Sequence, residues 1–290
     1  PRFRDLAAGE ISEKSPGDLV TAVDVEAEQV ITAGLAELSS GVPVVGEEAV
    51  AADPSLLGLL GRDGLAFVVD PIDGTRAFVE GDPDFAVMVA LVDHGVPVAS
   101  WIALPAYGEL LTAARGAGAF VSRGSGAPER LSRGAGAGPT TTDAVATPHT
   151  GAAVGTTAPG SAVGGLLNGA TGSEAAVGPL RGGVATAFLP DGLREQIGDR
   201  VESLAPDVRG SARLWAGATY RRVLIGEDDF IVYWRTNPWD HAPGAVLVRE
   251  AGGLVQRWDG TDYRADDTLT SLLVAATPAH ATQVRTQLLP

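Results

Sequence analysis

The chain has no cysteine in 290 residues, which removes disulfides, thiolate zinc sites and cysteine nucleophiles together and suits a reducing cytoplasm. It also lacks positive charge: 21 Lys and Arg stand against 36 Asp and Glu, a formal net charge of −15. With no basic stripe, nucleic acid bound along an extended surface is not an expected partner. The longest apolar run, Phe85 to Val92, is too short to cross a bilayer, and no basic-then-apolar leader opens the chain. No membrane partner is expected, and the reading is a cytoplasmic protein. No serine stands in the Gly-x-Ser-x-Gly setting of a nucleophile elbow.

What is present is globular composition, with 45% hydrophobic and 20% charged residues. The excess of carboxylate is what a protein gathering divalent cations needs, although many acidic proteins use such charge only for solubility.

Ala27, Val30, Ile31, Gly34, Leu35 and Leu38 recur at helical spacing and predict a helix starting just after Asp24 with one face buried, Thr21 and Asp24 sitting at its entrance. Val42 to Val45 and Leu65 to Val69 read as short strands that end in acids, Glu47-Glu48 and Asp70, so their carboxylates are expected on one rim. Phe85 to Val92 and Val96 to Leu104 flank Asp93-His94-Gly95 and predict an antiparallel hairpin. Phe230 to Trp234 predicts a further strand, followed by a helix that Asp240 introduces and that runs through Glu250 to Gly252-Gly253. Between Gly134 and Leu180, 22 of 47 residues are Gly or Ala and none is Phe, Trp or Tyr. So little area can be buried there that a flexible insertion is expected.

Asp70-Pro71-Ile72-Asp73-Gly74-Thr75 is the most informative stretch. Proline stiffens it, two carboxylates lie three apart, and glycine permits a turn whose amides can approach an anion. A carboxylate pair on a stiff turn suits hard divalent cations. Taken singly, the other acids read more blandly: Glu47-Glu48 as solvated surface, Asp240 as an N-cap with Pro243 in the first turn, and Asp24 as part of a capping box with Thr21.

Together these segments resemble the inositol monophosphatase family, whose signatures occur in order as Gly46-Glu47-Glu48, Asp70 to Thr75, and Trp239-Asp240-His241-Ala242-Pro243-Gly244. Supporting matches are Gly17 to Thr21 through Asp24, Gly210-Ser211-Ala212, and Glu250-Ala251-Gly252-Gly253. The resemblance implies an α+β fold, a layered α/β/α/β/α sandwich of the inositol monophosphatase and fructose bisphosphatase type. It implies a lobe over 1–133 with the main metal site, the insertion over 134–180, and a lobe over 181–290 that supplies Asp240.

The activity it implies is magnesium-dependent hydrolysis of a small phosphate monoester by an activated water, without a phosphoenzyme. Glu47, Asp70 and the Ile72 carbonyl would hold one Mg2+, and Asp70, Asp73 and Asp240 a second, with Glu47 also touching a third. Thr75 and Asp24 would orient the water, which with Glu47 makes the catalytic set. Asp73, Gly74, Thr75, Gly210, Ser211, Ala212 and Asp240 would meet the phosphate or the substrate. The expected partner is a small phosphorylated metabolite, and the family's usual homodimer is the expected assembly.

Substrate choice is less marked. The resemblance leads one to look for a glutamate several residues before Trp239-Asp240, where inositol enzymes commonly carry one, and this chain has Val232-Tyr233-Trp234-Arg235, with no acid. Tyr233 or Trp234 is a candidate to stack on a flatter leaving group, and Arg235 to meet a second negative charge. Thr75-Arg76-Ala77-Phe78 with Gly81 and Pro83 is similar to members acting on histidinol phosphate. Inositol or a related polyol phosphate is therefore expected first, histidinol phosphate second, and a nucleotide or fructose bisphosphate third. A metal-binding relative with a regulatory role and no turnover is the non-enzymatic alternative.

Overall fold

Strand β4, Leu65–Asp73, begins as the β-branched run before the central motif and carries it to the strand's end; every residue after Leu65 is buried. The structure, a computed structural model, describes residues 3–4, 11–15, 18–133, 179–204, 214–267 and 269–289. Residues 134–178 of the expected insertion, and Gly210, Ser211 and Ala212, lie outside the described residues. Residues 1–137 and 177–290 belong to one compact unit.

A small hairpin, β1 (Ile11–Ser15) and β2 (Asp18–Thr21), leads into α1 (Ala22–Leu38). After β3 (Val44–Gly46), α2 (Glu47–Ala52) and β4 come α3 (Thr75–Glu80), β5 (Ala86–Asp93), β6 (Val96–Leu104), β7 (Glu109–Ala114), β8 (Gly118–Arg123) and β9 (Glu129–Leu131). Among the described residues β3 to β9 form a seven-stranded sheet in sequence order, parallel only between β3 and β4. The expected hairpin is present as β5 and β6, closed where Asp93 pairs with Val96. Only the two residues His94 and Gly95 turn the chain, both with positive φ, as the twist of such hairpins demands.

The second half contributes β10 (Gly182–Val184), α4 (Asp191–Leu204), α5 (Ala216–Ile225), β11 (Phe230–Tyr233), α6 (Pro238–Glu250), β12 (Leu254–Gln256), β13 (Leu272–Ala275) and α7 (Pro278–Gln287). Its four strands run β10-β11-β13-β12. Strand alternation divides the core. Ile231, Tyr233, Leu272 and Val274 point into the cluster shared with α5, α6 and the large sheet, whereas Phe230, Val232, Leu273 and Ala275 join Ile197, Val201 and Val284 from α4 and α7. The layers are thus α1, the large sheet, α5 with α6, the small sheet, and α4 with α7, which is the expected five-layered sandwich. Among the described residues no helix is long and apolar enough to cross a membrane.

Helix α1 departs from expectation in two ways. It starts at Ala22, so Asp24 lies in the first turn: Thr21 is the N-cap, its hydroxyl accepts from Val23 N, and Asp24 accepts from Thr21 N, closing the capping box. Its apolar positions are also not the buried ones. Val30 is 73% and Leu38 82% exposed, and the buried side chains are Asp24 and Glu28. The helix turns carboxylates inward because each has backbone or hydroxyl donors waiting, which lowers the cost of burial.

Candidate metal centre

The parallel pairing of β3 with β4 sets Gly46 beside Val69, so the chain delivers Glu47 and Asp70 from neighbouring strand ends. Glu47 and Glu48 do not trail into solvent but form the first turn of α2. The β4–β5 register is interrupted between Asp70 and Asp73, an irregularity that re-aims side chains at the strand end. Gly74 then takes the left-handed conformation, φ 78°, and caps α3, which begins with Thr75. A side chain at 74 would be strained and would meet the Asp84 carbonyl and the Trp215 ring.

Asp240 arrives from the other half of the chain. It is the third residue of α6 rather than its N-cap, because Pro238 fits the first helical position and Asn237 takes the cap position. Pro243 lies inside the helix, beyond the first turn. Asp70, Asp73 and Asp240 each offer an oxygen within 4.8 Å of the others. Glu47 is not part of that triad, but its charge is the strongest neighbouring one acting on Asp70.

Three carboxylates so placed resist ionising together. Burial, then the charges of Glu47, Asp73 and Asp240, pushes Asp70 well above the carboxylate range. Burial raises Asp73 to about 7, against the pull of the Gly217 and Ala216 amides. Burial raises Asp240 to about 8 with help from Asp73 and Glu47, opposed by Arg235 and Asn237. Asp70 Oδ1 is buried and lacks a hydrogen-bond partner. An all-oxygen donor set with an orphaned anionic oxygen fits a hard divalent cation, which would supply the missing partner.

Beside the triad, Thr75 Oγ1 lies 3.0 Å from Asp24 Oδ1 and 3.1 Å from the Ile72 carbonyl. Asp24 Oδ2 accepts from Thr21 N at 2.8 Å and Thr21 Oγ1 at 2.6 Å. The expected Thr75–Asp24 contact is therefore present, with the carboxylate fixed from behind.

Some expected contributors stand elsewhere. Tyr233 is buried with its hydroxyl against Thr219, and Trp234 packs on Trp258, so both serve the core instead of facing a leaving group. Apolar strand packing takes precedence at these two positions. Arg235 is exposed and stacks over Phe188, 4.6 Å from the ring centre. His241 is buried, and burial drives it down to about 3. Its Nε2–H donates to the Arg235 carbonyl at 3.1 Å, so Nδ1 accepts from Tyr220. It packs and anchors.

Sequence reasoning missed Ala216 and Gly217, whose amides bond Asp73 at 3.1 and 2.7 Å. The only local signal is a small-residue pair opening a helix after Trp215, and nothing in it names a partner so far upstream.

The family profile described as inositol monophosphatase matches residues 2–289. An inositol-1-monophosphatase of Mesorhizobium japonicum is 31% identical over 269 residues, covering 91% of this chain and 82% of that protein. A protein of Thermotoga maritima named fructose-1,6-bisphosphatase/inositol-1-monophosphatase is 30% identical over 257 residues, 87% and 77% of the two chains. The crystal structure of the extragenic suppressor protein suhB from Bartonella henselae superposes with a TM-score of 0.67 at 24% identity, covering 96% of this chain and 89% of that one. With its profile match running nearly end to end, the chain belongs to the inositol monophosphatase family of phosphomonoester hydrolases.

Proposed function

We propose that this protein hydrolyses a small phosphate monoester using Mg2+ held by Asp70, Asp73 and Asp240, with Glu47 and the Ile72 carbonyl as further ligands. The observation that carries this reading is the meeting of three carboxylates from β4 and α6, one of which, Asp70, has a buried oxygen without a hydrogen-bond partner. Burying like charges is costly unless a cation compensates them, and a hard divalent cation would do so here.

Bound cations there supply Lewis-acid stabilisation of charge on the phosphoryl oxygens and make a nearby water acidic enough to attack. Thr75 has one hydroxyl proton; given to Asp24, it leaves lone pairs that accept a hydrogen bond from the attacking water and fix its direction. Thr21 holds Asp24 so that the pair does not swing. The amides of Gly74 and Thr75 face the phosphate, and the amides of Ala216 and Gly217 favour the ionised form of Asp73 against the burial that raises it. No protein nucleophile is required. With every carboxylate of the site present, turnover is favoured over an inactive regulatory role.

Inositol monophosphate or a related polyol phosphate remains the first substrate reading. A second is favoured by Arg235, which is exposed, stacked on Phe188 and close enough for its charge to act on Asp240. A fixed guanidinium at the rim suits a substrate with a second anionic group, such as a sugar or nucleotide bisphosphate. Histidinol phosphate keeps its place on the Thr75 to Phe78 sequence alone. Phosphate release from a panel of these esters, with Mg2+ and with excess chelator, tests the proposal: release should require the metal, and undiminished turnover in chelator would reject it.

A further inference from the structure

Glu28 is a buried carboxylate that the mechanism above does not use. It projects from α1 one turn beyond Asp24 and reaches α2, where Oε2 accepts from Glu48 N at 2.8 Å and Oε1 from Ala49 N at 2.9 Å. These are the second and third residues of α2, whose N-cap position is Gly46 and has no side chain to cap with. Glu28 therefore supplies, from 20 residues upstream, the cap that α2 lacks.

The place of this cap matters more than its existence. Helix α2 has six residues, too few to hold its own geometry. Glu47 is its first residue, directly before the amide that Glu28 grips. A serine at 46 would cap as well without burying another carboxylate near Glu47 and Asp70. The backbone instead leaves room for Glu28: a Cβ on Gly46 would fall 2.3 Å from its Cδ. Asp24 and Glu28, one turn apart, thus tie Thr75 and the turn bearing Glu47 to the same helix.

We infer that Glu28 is a positioning residue for metal binding: it fixes the first turn of α2 so that the Glu47 carboxylate is presented to the cation site. The inference rests on the metal-dependent reading of that site. Removing a partner of this kind typically weakens metal affinity about 10–100-fold.

The test is Mg2+ titration calorimetry on the metal-free protein, with phosphate release as a second readout. Glu28→Ala should weaken Mg2+ binding about tenfold or more. Glu28→Gln, which keeps the shape but turns its NH2 toward one of the two amides, should show a smaller loss. Gly46→Ala, which displaces the Glu28 carboxylate without touching it chemically, should reproduce the loss. In a Glu47→Ala background Glu28→Ala should add nothing, because the residue it positions is gone; a full additional loss there would overturn the inference. Should Glu28→Ala not fold, the glutamine and Gly46→Ala variants decide, and unchanged affinity in both overturns it. The two failures are distinguishable: Mg2+ binding without phosphate release on any ester would reject the proposed activity and leave the role of Glu28 standing.

Discussion

Asp73 and Gly217 meet across 144 residues, the amide of one donating to a carboxylate oxygen of the other at 2.7 Å. That bond closes the first half of the chain onto the second at the site itself, and it requires glycine: a Cβ at 217 would lie 2.4 Å from the Ala86 Cβ and 3.2 Å from Asp73 Oδ2. In a helix, Gly→Ala ordinarily stabilises by about 1 kcal/mol. Here the Ala86 methyl group sits in a buried strand and cannot yield, so overpacking should prevail at about 1–3 kcal/mol. Gly217→Ala is expected to lower Tm and weaken Mg2+ binding together, measured by thermal unfolding and calorimetry; a higher Tm would show that the contact relaxes freely.

The raised carboxylates predict an unusual pH dependence. Asp73 at about 7 and Asp240 at about 8, with Asp70 also raised, all lie above the ordinary value of 3.8. Between that value and about 8 the folded metal-free protein binds more protons than the unfolded chain, so its stability should fall as pH rises through this window. Mg2+ should reverse the fall by compensating the ionised carboxylates. Melting curves from pH 5 to 8.5, with and without Mg2+, should show a metal-induced rise in Tm that grows with pH. A rise independent of pH would contradict the assignment of these groups to the cation.

Asp70→Asn separates function from stability. Replacing a carboxyl whose ionisation is resisted by burial and by its acidic neighbours should raise the Tm of the metal-free protein as pH rises, while Mg2+-dependent phosphate release falls at least about 100-fold and the Mg2+-induced Tm shift disappears. Normal turnover in this variant would remove Asp70 from the site.

Thr75→Ala should act on the chemical step. Turnover is expected to fall about 100-fold or more with little change in the Mg2+ concentration for half-activation, since orienting the water counts mainly in the transition state. Thr75→Ser, which keeps the hydroxyl, should recover much of the rate. A variant that loses metal affinity but keeps full turnover at saturating Mg2+ would reverse the roles of ligand and orienter.

Arg235→Ala tests the second substrate reading. If the guanidinium meets a second anion, kcat/KM for a bisphosphate should drop about 10–100-fold, the worth of a hydrogen bond to a charged group, while a monophosphate polyol is spared. Equal losses on both would assign Arg235 to Asp240 instead.

The sequence made the carboxylate turn legible because its signal is local: an apolar run, a stiff proline and two acids in order place Asp70 and Asp73 at a strand end without reference to the remainder of the chain. Periodicity failed on α1 because it assumes that apolar residues point inward. Asp24 and Glu28 take the inward positions through hydrogen bonds to Thr75, Glu48 and Ala49, partners that no window around the helix contains. Ala216 and Gly217 were hidden for the same reason. Tyr233 was readable as a strand residue, but which of its two faces met the core depended on how the small sheet packs on α5 and α6.

Helix α6 contacts both sheets and carries Asp240 at its start, with every residue from His241 to Val248 buried. A ligand mounted on a surface loop can drift while the body of a protein stays intact. Here the cation would report on the interior: a void opened beneath β13 or a shift between the layers moves the first turn of α6 and so reaches the site. Substitutions far from any carboxylate, at Leu272 or Val274, should then surface as lost metal affinity before they surface as lost fold, and hydrogen exchange of the α6 amides should slow on Mg2+ binding along the whole helix rather than at its tip.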